Sequence, residues 1–315
     1  MALNLTIITI AEFLQNNPEQ KFTAREIAEW IYVHYPDRCW QKQQKSKATA
    51  IPLDNDQALL RQIAAEIGSQ RSTLQTKHPK IKTTEGRPRK YYFTESTDSA
   101  EIDKSEEDCA GHSLPTNHIT KEYQLYTVLS EFLCSEFQVY SKRIDEKRSS
   151  NNKGNKGNKW LYPDLVGMED LSRDWHNEIK HCAREYSDKK TKLWSFEVKM
   201  LINRSNVREV FFQTVSNSSW ANFGYLVAKE IEGSDTLKEL RILSSLHGIG
   251  FIKLDTEDNP SESQIMIPAK EKIKVDWDTA NRLADENKDF LEYIKLIRQF
   301  YQTGDIKKSD WDIFS

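Results

Sequence analysis

The sequence predicts an α+β chain in two domains: a small helical domain closed by a basic hairpin, then a larger domain built on a mixed central sheet flanked by helices. Three observations lead there. At 315 residues the chain exceeds one typical domain, so two cores are expected. Charge is segregated, with eight Lys/Arg against two acids over residues 57–93 and seven acids against one Lys over 95–108. Helix-spaced apolar residues dominate before the acidic stretch, and strand-like apolar runs alternate with helical ones after it. The expected division is therefore 1–95, an acidic linker at 96–118 with almost no apolar periodicity, and 119–315.

In the first domain, residues 6–18 place apolar side chains at helical spacing. Residues 23–36 open with a capping box, because Thr23 can accept from the amide of Glu26 while the Glu26 carboxylate accepts from the amide of Thr23. An irregular insertion at about 38–56 precedes a third helix over 57–79, whose Leu59, Leu60, Ile63 and Ile67 share one face. Residues 80–93 read as two short strands around a turn containing Gly86. Three helices followed by a basic hairpin resemble a winged helix-turn-helix domain.

In the second domain, residues 121–133 form an amphipathic helix with Leu125, Val128, Leu129, Phe132 and Leu133 on one face. Strand-like runs follow at 137–144, 160–168, 192–200 and 223–231, with a helix at 207–220 between the last two. A helix at 236–247, runs at 248–255 and 263–269, and a helical tail at 277–303 extend the core. The Gly/Asn-rich basic stretch 145–159 lies between apolar runs and reads as a loop within this domain.

Composition limits the function. Lys plus Arg (45) nearly balances Asp plus Glu (48), and mean hydropathy is −0.73. No apolar run approaches the roughly 18 residues of a membrane span, and the N-terminus lacks a secretion-signal pattern, so no membrane partner and a cytoplasmic location are expected. Four cysteines, scattered without C-x-x-C pairing, argue against a disulfide framework or a zinc cluster.

The chemistry concentrates in two short stretches. Asp164 follows Pro163 and precedes Leu165 and Val166, which sets an acid on or beside a buried strand at a cost in free energy. Glu197 and Lys199 alternate with Phe196, Val198 and Met200, so on a strand both point to the same face. Two acids and an ammonium meeting at one sheet edge suit a divalent cation and a phosphate: the metal polarises the phosphate and acidifies a bound water, and the Lys orients that water or neutralises developing charge. A lone Glu-x-Lys on a strand recurs by chance; the upstream Pro-Asp and the element order lift it above that background.

The Pro-Asp at 163–164, the Glu-Val-Lys at 197–199 and the order of helices and strands resemble the PD-(D/E)XK nuclease superfamily, with its restriction-endonuclease-like α/β fold. The resemblance implies ligation of Mg²⁺, with Mn²⁺ substituting, by Asp164, Glu197 and the carbonyl of Val198, and a water-positioning role for Lys199. It also implies a third acid on the first helix of the domain. Glu122 lies about 50° from the centre of that helix's apolar face and Glu131 about 130°, so Glu122 is the candidate and Glu131 is expected in water. Members carry a Gln on the helix after the Glu-x-Lys strand, and Gln213 fits. The 33 residues from Asp164 to Glu197 exceed the usual gap and contain an inserted helix and loop. Nearly the whole chain, N-terminal domain included, resembles the HrgA-like and BisI-like proteins, which implies a restriction endonuclease that cuts DNA containing 5-methylcytosine.

Double-stranded DNA, methylated or not, is thus the expected partner, with a homodimer on DNA as one route to cutting both strands. In the first domain Arg71, Ser72, Thr73, Gln75 and Lys77 suit base edges and phosphates, and Arg87, Arg89 and Lys90 of the hairpin suit phosphate or the minor groove. In the second, Lys142, Arg143, Lys147, Arg148, Lys153, Lys156 and Lys159 ring the expected cleft. A basic helix end is more often a solvated surface, and here the adjacent basic hairpin favours the binding role. His176, His181 and Cys182 lack a matching second pair and read as ordinary side chains of the insert. Two further readings stand beside the restriction enzyme: a non-catalytic DNA-binding regulator on a nuclease-like scaffold, and a structure-specific repair nuclease.

Overall fold

In the computed structural model, which describes residues 7–45, 53, 55–107, 122–150, 160–185, 190–256 and 263–312, the chain divides into two units. One comprises Met1–Thr97 with Glu232–Ser234, the other Asp98–Ile231 with Asp235–Ser315.

The first unit packs helices α1 (Ile7–Gln15), α2 (Ala24–His34), α3 (Pro36–Lys45), α4 (Asp56–Ser69) and α5 (Arg71–Lys77) with a three-stranded antiparallel sheet. The strands β1 (Phe22–Thr23), β2 (Ile81–Thr83) and β3 (Lys90–Phe93) lie in the order β1-β3-β2. Ile10, Leu14, Ile27, Ile31, Leu59, Ile63, Ile67, Leu74, Ile81 and Tyr91 form the core. The capping box at Thr23 is present, the Thr23 amide donating to Glu26 Oε2 at 2.7 Å and the Glu26 amide to Thr23 Oγ1 at 3.2 Å.

Two expectations for this unit are corrected and one strand is added. The insertion at 38–56 begins as a helix: Pro36 starts α3, where a missing N–H and a fixed φ favour helix entry, and buried Cys39 anchors it. The helix over 57–79 is two helices, parted at Gln70; Gly68 and Ser69 end the first, and the Ser69 hydroxyl donates to the Glu66 carbonyl. β1 is too short to show alternation in sequence and exists because β3 offers it an edge, pairing Phe22 with Tyr91. The hairpin turn is as expected, and Gly86 takes φ 112°, which a residue with a Cβ rarely adopts.

The expected acidic linker is also corrected in part. Asp98–Glu107 forms α6, which belongs to the second unit. Asp98 and Glu101 favour its first turn, where acids complement the helix dipole; buried Ile102 fixes it, and Asn203 Nδ2 donates to the Asp98 carbonyl at 2.8 Å. One apolar anchor gives no periodicity to read. Residues 108–118 lie outside the described residues.

The second unit is a mixed six-stranded sheet between helical layers, in the order β4 (Val139–Arg143), β5 (Leu165–Asp170), β6 (Thr191–Ile202), β7 (Phe223–Ile231), β8 (Gly250–Lys253) and β9 (Gln264–Ile267). The β6–β7 and β7–β8 pairs are parallel and the rest antiparallel. On one face α7 (Glu122–Phe137) buries Leu125, Leu129, Phe132 and Leu133 against Leu165, Phe196, Val198 and Val227. On the other, α9 (Val207–Asn217) and α10 (Ser234–His247) cover Leu226 and Ala228, while α11 (Trp277–Glu286) and α12 (Lys288–Thr303) cover Val166, Met168 and Leu193. Each large side chain sealed this way contributes about 1.5–3 kcal/mol. The expected helical tail divides at Asn287, whose side chain accepts from the amides of Asp289 and Phe290 and so caps α12. The insert between β5 and β6 carries α8 (Asn177–Glu185).

Candidate active site

The sheet register brings the two halves of the candidate site together. β5 and β6 run antiparallel with Leu165 opposite Phe196, so one step beyond the end of β5 Asp164 faces Glu197 across the ladder. The Asp164 amide donates to the Phe196 carbonyl at 3.1 Å. Its carboxylate Oδ2 accepts from the Val198 amide at 2.7 Å, taking the place a backbone carbonyl would hold were β5 longer. Alternation along β6 turns Glu197 and Lys199 to the same face, and Lys199 Nζ stands 2.6 Å from Glu197 Oε1. The other Glu197 oxygen accepts from Asn217 Nδ2 on α9. Glu122 enters from the first turn of α7 and accepts from the Tyr126 hydroxyl at 3.2 Å.

The cluster is largely buried, with partial exposure at three of its residues. The Glu197 side chain is 1% exposed and that of Lys199 19%, while Asp164 and Glu122 are half-buried. Burial, then the charge of Asp164, raises the Glu197 carboxyl to about 8 against the opposing pull of Lys199. Asp164 is raised by burial, although Lys199, the Val198 amide and Tyr126 oppose the shift. Glu122 is raised by burial and then by Asp164. Burial works against the charge on Lys199, but Glu197, Asp164 and Glu122 outweigh it and hold the ammonium above its ordinary value. Among the described residues no three His, Cys, Asp or Glu side chains are arranged to hold a metal ion; the cation these acids share is the Lys199 ammonium.

Sequence reasoning missed three contributors. Asn217 sits one helical turn beyond Gln213 on α9 and donates to Glu197, whereas the half-buried Gln213 side chain makes no hydrogen bond among the described residues. Tyr126, four residues after Glu122, is detectable only once the helix face is known. Glu146, in the 3₁₀ turn Glu146–Arg148 after β4, is raised by partial desolvation and then by Asp164, which adds a fourth acid to the field. Glu131 is half-buried, with part of its side chain in water.

Several expected DNA contacts are already engaged. Arg71 Nη1 and Arg89 Nη2 lie 2.8 and 2.7 Å from the two oxygens of Glu85, whose side chain is 4% exposed. Gln75 Nε2 donates to Thr83 Oγ1 at 3.3 Å. Ser72, Thr73, Lys77 and Arg87 are exposed, and Lys90 is half-buried on β3. In the second unit Lys142 is half-buried on β4, Lys147 is exposed, and Arg148 pairs with Asp289. The Arg143 guanidinium lies over the Tyr126 ring, 5.0 Å from its centroid, close enough to Asp164 to oppose its shift. Lys153, Lys156 and Lys159 lie outside the described residues. No helix among the described residues is long and apolar enough to cross a membrane.

Compared with known proteins, the chain matches no family model, no curated protein and no solved structure.

Proposed function

We propose that the chain is a Mg²⁺-dependent DNA endonuclease of restriction type, in which the first unit recognises duplex DNA and the second hydrolyses a phosphodiester. The observation that carries the proposal is the gathering of Asp164, Glu197, Lys199 and Glu122 at one sheet rim from three elements far apart in sequence. The donor chemistry fits the metal. Hard carboxylate oxygens outnumber the single ammonium, and Asp164 raises Glu197 and Glu122, a repulsion that a divalent cation would relieve. Asp164, Glu197 and the Val198 carbonyl would hold Mg²⁺ or Mn²⁺, which when bound polarises the phosphate and acidifies a water. Lys199 then orients the attacking water and offsets charge developing on the phosphate, while Asn217 keeps Glu197 aimed. The helices and hairpin of the first unit, with exposed Ser72, Thr73, Lys77 and Arg87, support its recognition role.

The resemblance to the BisI-like group extends the proposal to substrates carrying 5-methylcytosine. Cutting both strands would require two sites, hence a homodimer on DNA or sequential nicking. A second reading, a non-catalytic regulator on a nuclease-like scaffold, draws on the Lys199–Glu197 ion pair, which already sets a cation 2.6 Å from one ligand oxygen. Incubation of the pure protein with Mg²⁺ and matched plasmids, unmethylated or carrying 5-methylcytosine, separates these. Cleavage of the methylated plasmid alone is expected; cleavage of both alike would remove the modification requirement, and cleavage of neither, with binding intact, would favour the regulator.

A further inference from the structure

Glu85 is a buried acid in the most basic part of the chain, where it subtracts from the positive charge on offer to a phosphate backbone. It sits in the connection from β2 to β3, and its two oxygens hold Arg71, the first residue of α5, and Arg89, just before β3. The two side chains keep 23% and 36% exposure while each guanidinium reaches the carboxylate. Arg89 Nε is buried and has no hydrogen-bond partner. An Arg presents five donors in a fixed fork, and one carboxylate bridging two such forks removes their rotamer freedom while leaving most donors unused.

We propose that Glu85 is a positioning residue that locks Arg71 and Arg89 into a single phosphate-binding fork for the DNA backbone. This rests on the reading that the first unit binds DNA. Two guanidiniums set side by side match the non-bridging oxygens of a phosphodiester, and prior fixing lowers the ordering cost of binding. It also joins α5 to the hairpin, so that both approach the duplex in fixed register.

The sign of one substitution tests the idea. Glu85→Gln makes the unit one charge more positive, so if charge alone mattered, DNA would bind more tightly. If Glu85 positions the fork, binding weakens despite the added charge. The measurement is fluorescence anisotropy of the full chain with a duplex of about 30 base pairs, in chelator so that nothing is cut, over a salt series. At roughly 100 mM salt the E85Q Kd should rise about fivefold or more, and the slope of log Kd against log salt should fall by about one to two as ordered phosphate contacts are lost. Equal or tighter binding by a folded E85Q protein, judged by its melting curve, overturns the proposal. If E85Q does not fold, Arg71→Gln, Arg89→Gln and the double variant decide. A fork acting as one unit predicts that the double variant loses little more than the worse single one, and additive losses overturn it. Inorganic phosphate displacing the duplex at matched ionic strength would assign the fork to free phosphate instead and overturn the backbone assignment. A wild-type chain that binds no duplex would refute the recognition reading itself, whereas a wild type that binds with E85Q unaffected refutes only the fork.

Discussion

Replacing Asp164 by Asn and by Ala separates chemistry from architecture, because the carboxylate does two things. One oxygen caps the Val198 amide at 2.7 Å, and the charge joins the field around Lys199. Ala removes both, leaving an amide inside the sheet without its acceptor, at about 1–3 kcal/mol. For a domain of this size each kcal/mol lowers Tm by about 2–4 °C, so Asp164→Ala should melt about 2–12 °C lower. Asn keeps an acceptor oxygen and removes a charge that burial disfavours, so its stability should stay within about 1 kcal/mol of wild type. Activity should not follow stability. Loss of a metal-holding carboxylate forfeits several kcal/mol of transition-state stabilisation, of which about 4 already corresponds to a factor of 10³. Melting curves with single-turnover cleavage of a methylated plasmid read both. An Asn variant cutting at wild-type rate refutes the site; one melting as low as Ala shows that the charge itself holds the fold.

Other substitutions probe the neighbours. Lys199→Met should abolish cutting, leave duplex binding in place, and destabilise the metal-free protein more at pH 9, where Glu197 is ionised, than at pH 5, where it holds a proton; equal loss at both pH values in denaturant titrations would contradict the pairing. The Glu197 carboxyl, raised to about 8, binds its proton more tightly when folded, so its contribution is fully present below the ordinary value of 4.5 and is lost as pH rises through about 8. Without divalent metal, Tm should therefore fall between pH 5 and 8, Glu197→Gln should flatten the fall, and a wild-type Tm rising over that range would contradict the sign. Asn217→Ala should slow cleavage and cost about 1–3 kcal/mol by leaving a buried Glu197 oxygen without its donor, with Gln213→Ala the milder of the two in both readouts.

How much of this was legible in the sequence follows from the range of the interactions. The alternation of residues 192–200 gave β6 and the shared face of Glu197 and Lys199, because strand periodicity is local and the run is long. Glu122 was legible as well, since α7 repeats its apolar spacing through several turns. α6 was not, having one apolar anchor, and neither was the break at Gln70, where hydroxyl and glycine effects outweigh a continuing helical pattern. Asn217 escaped because selecting it over Gln213 requires the angle at which α9 crosses β6, a tertiary quantity absent from either segment alone. The same holds more strongly for Glu85. In sequence it is one acid diluting a basic hairpin; folded, the connection after β2 buries it against two arginines that are 18 positions apart in the chain. Counting Arg71 and Arg89 as two independent phosphate contacts therefore overstates the charge on offer, because the trio carries a net charge of one. Any affinity it adds beyond that single charge must come from geometry, and for that reason a substitution that raises the positive charge is expected to weaken binding.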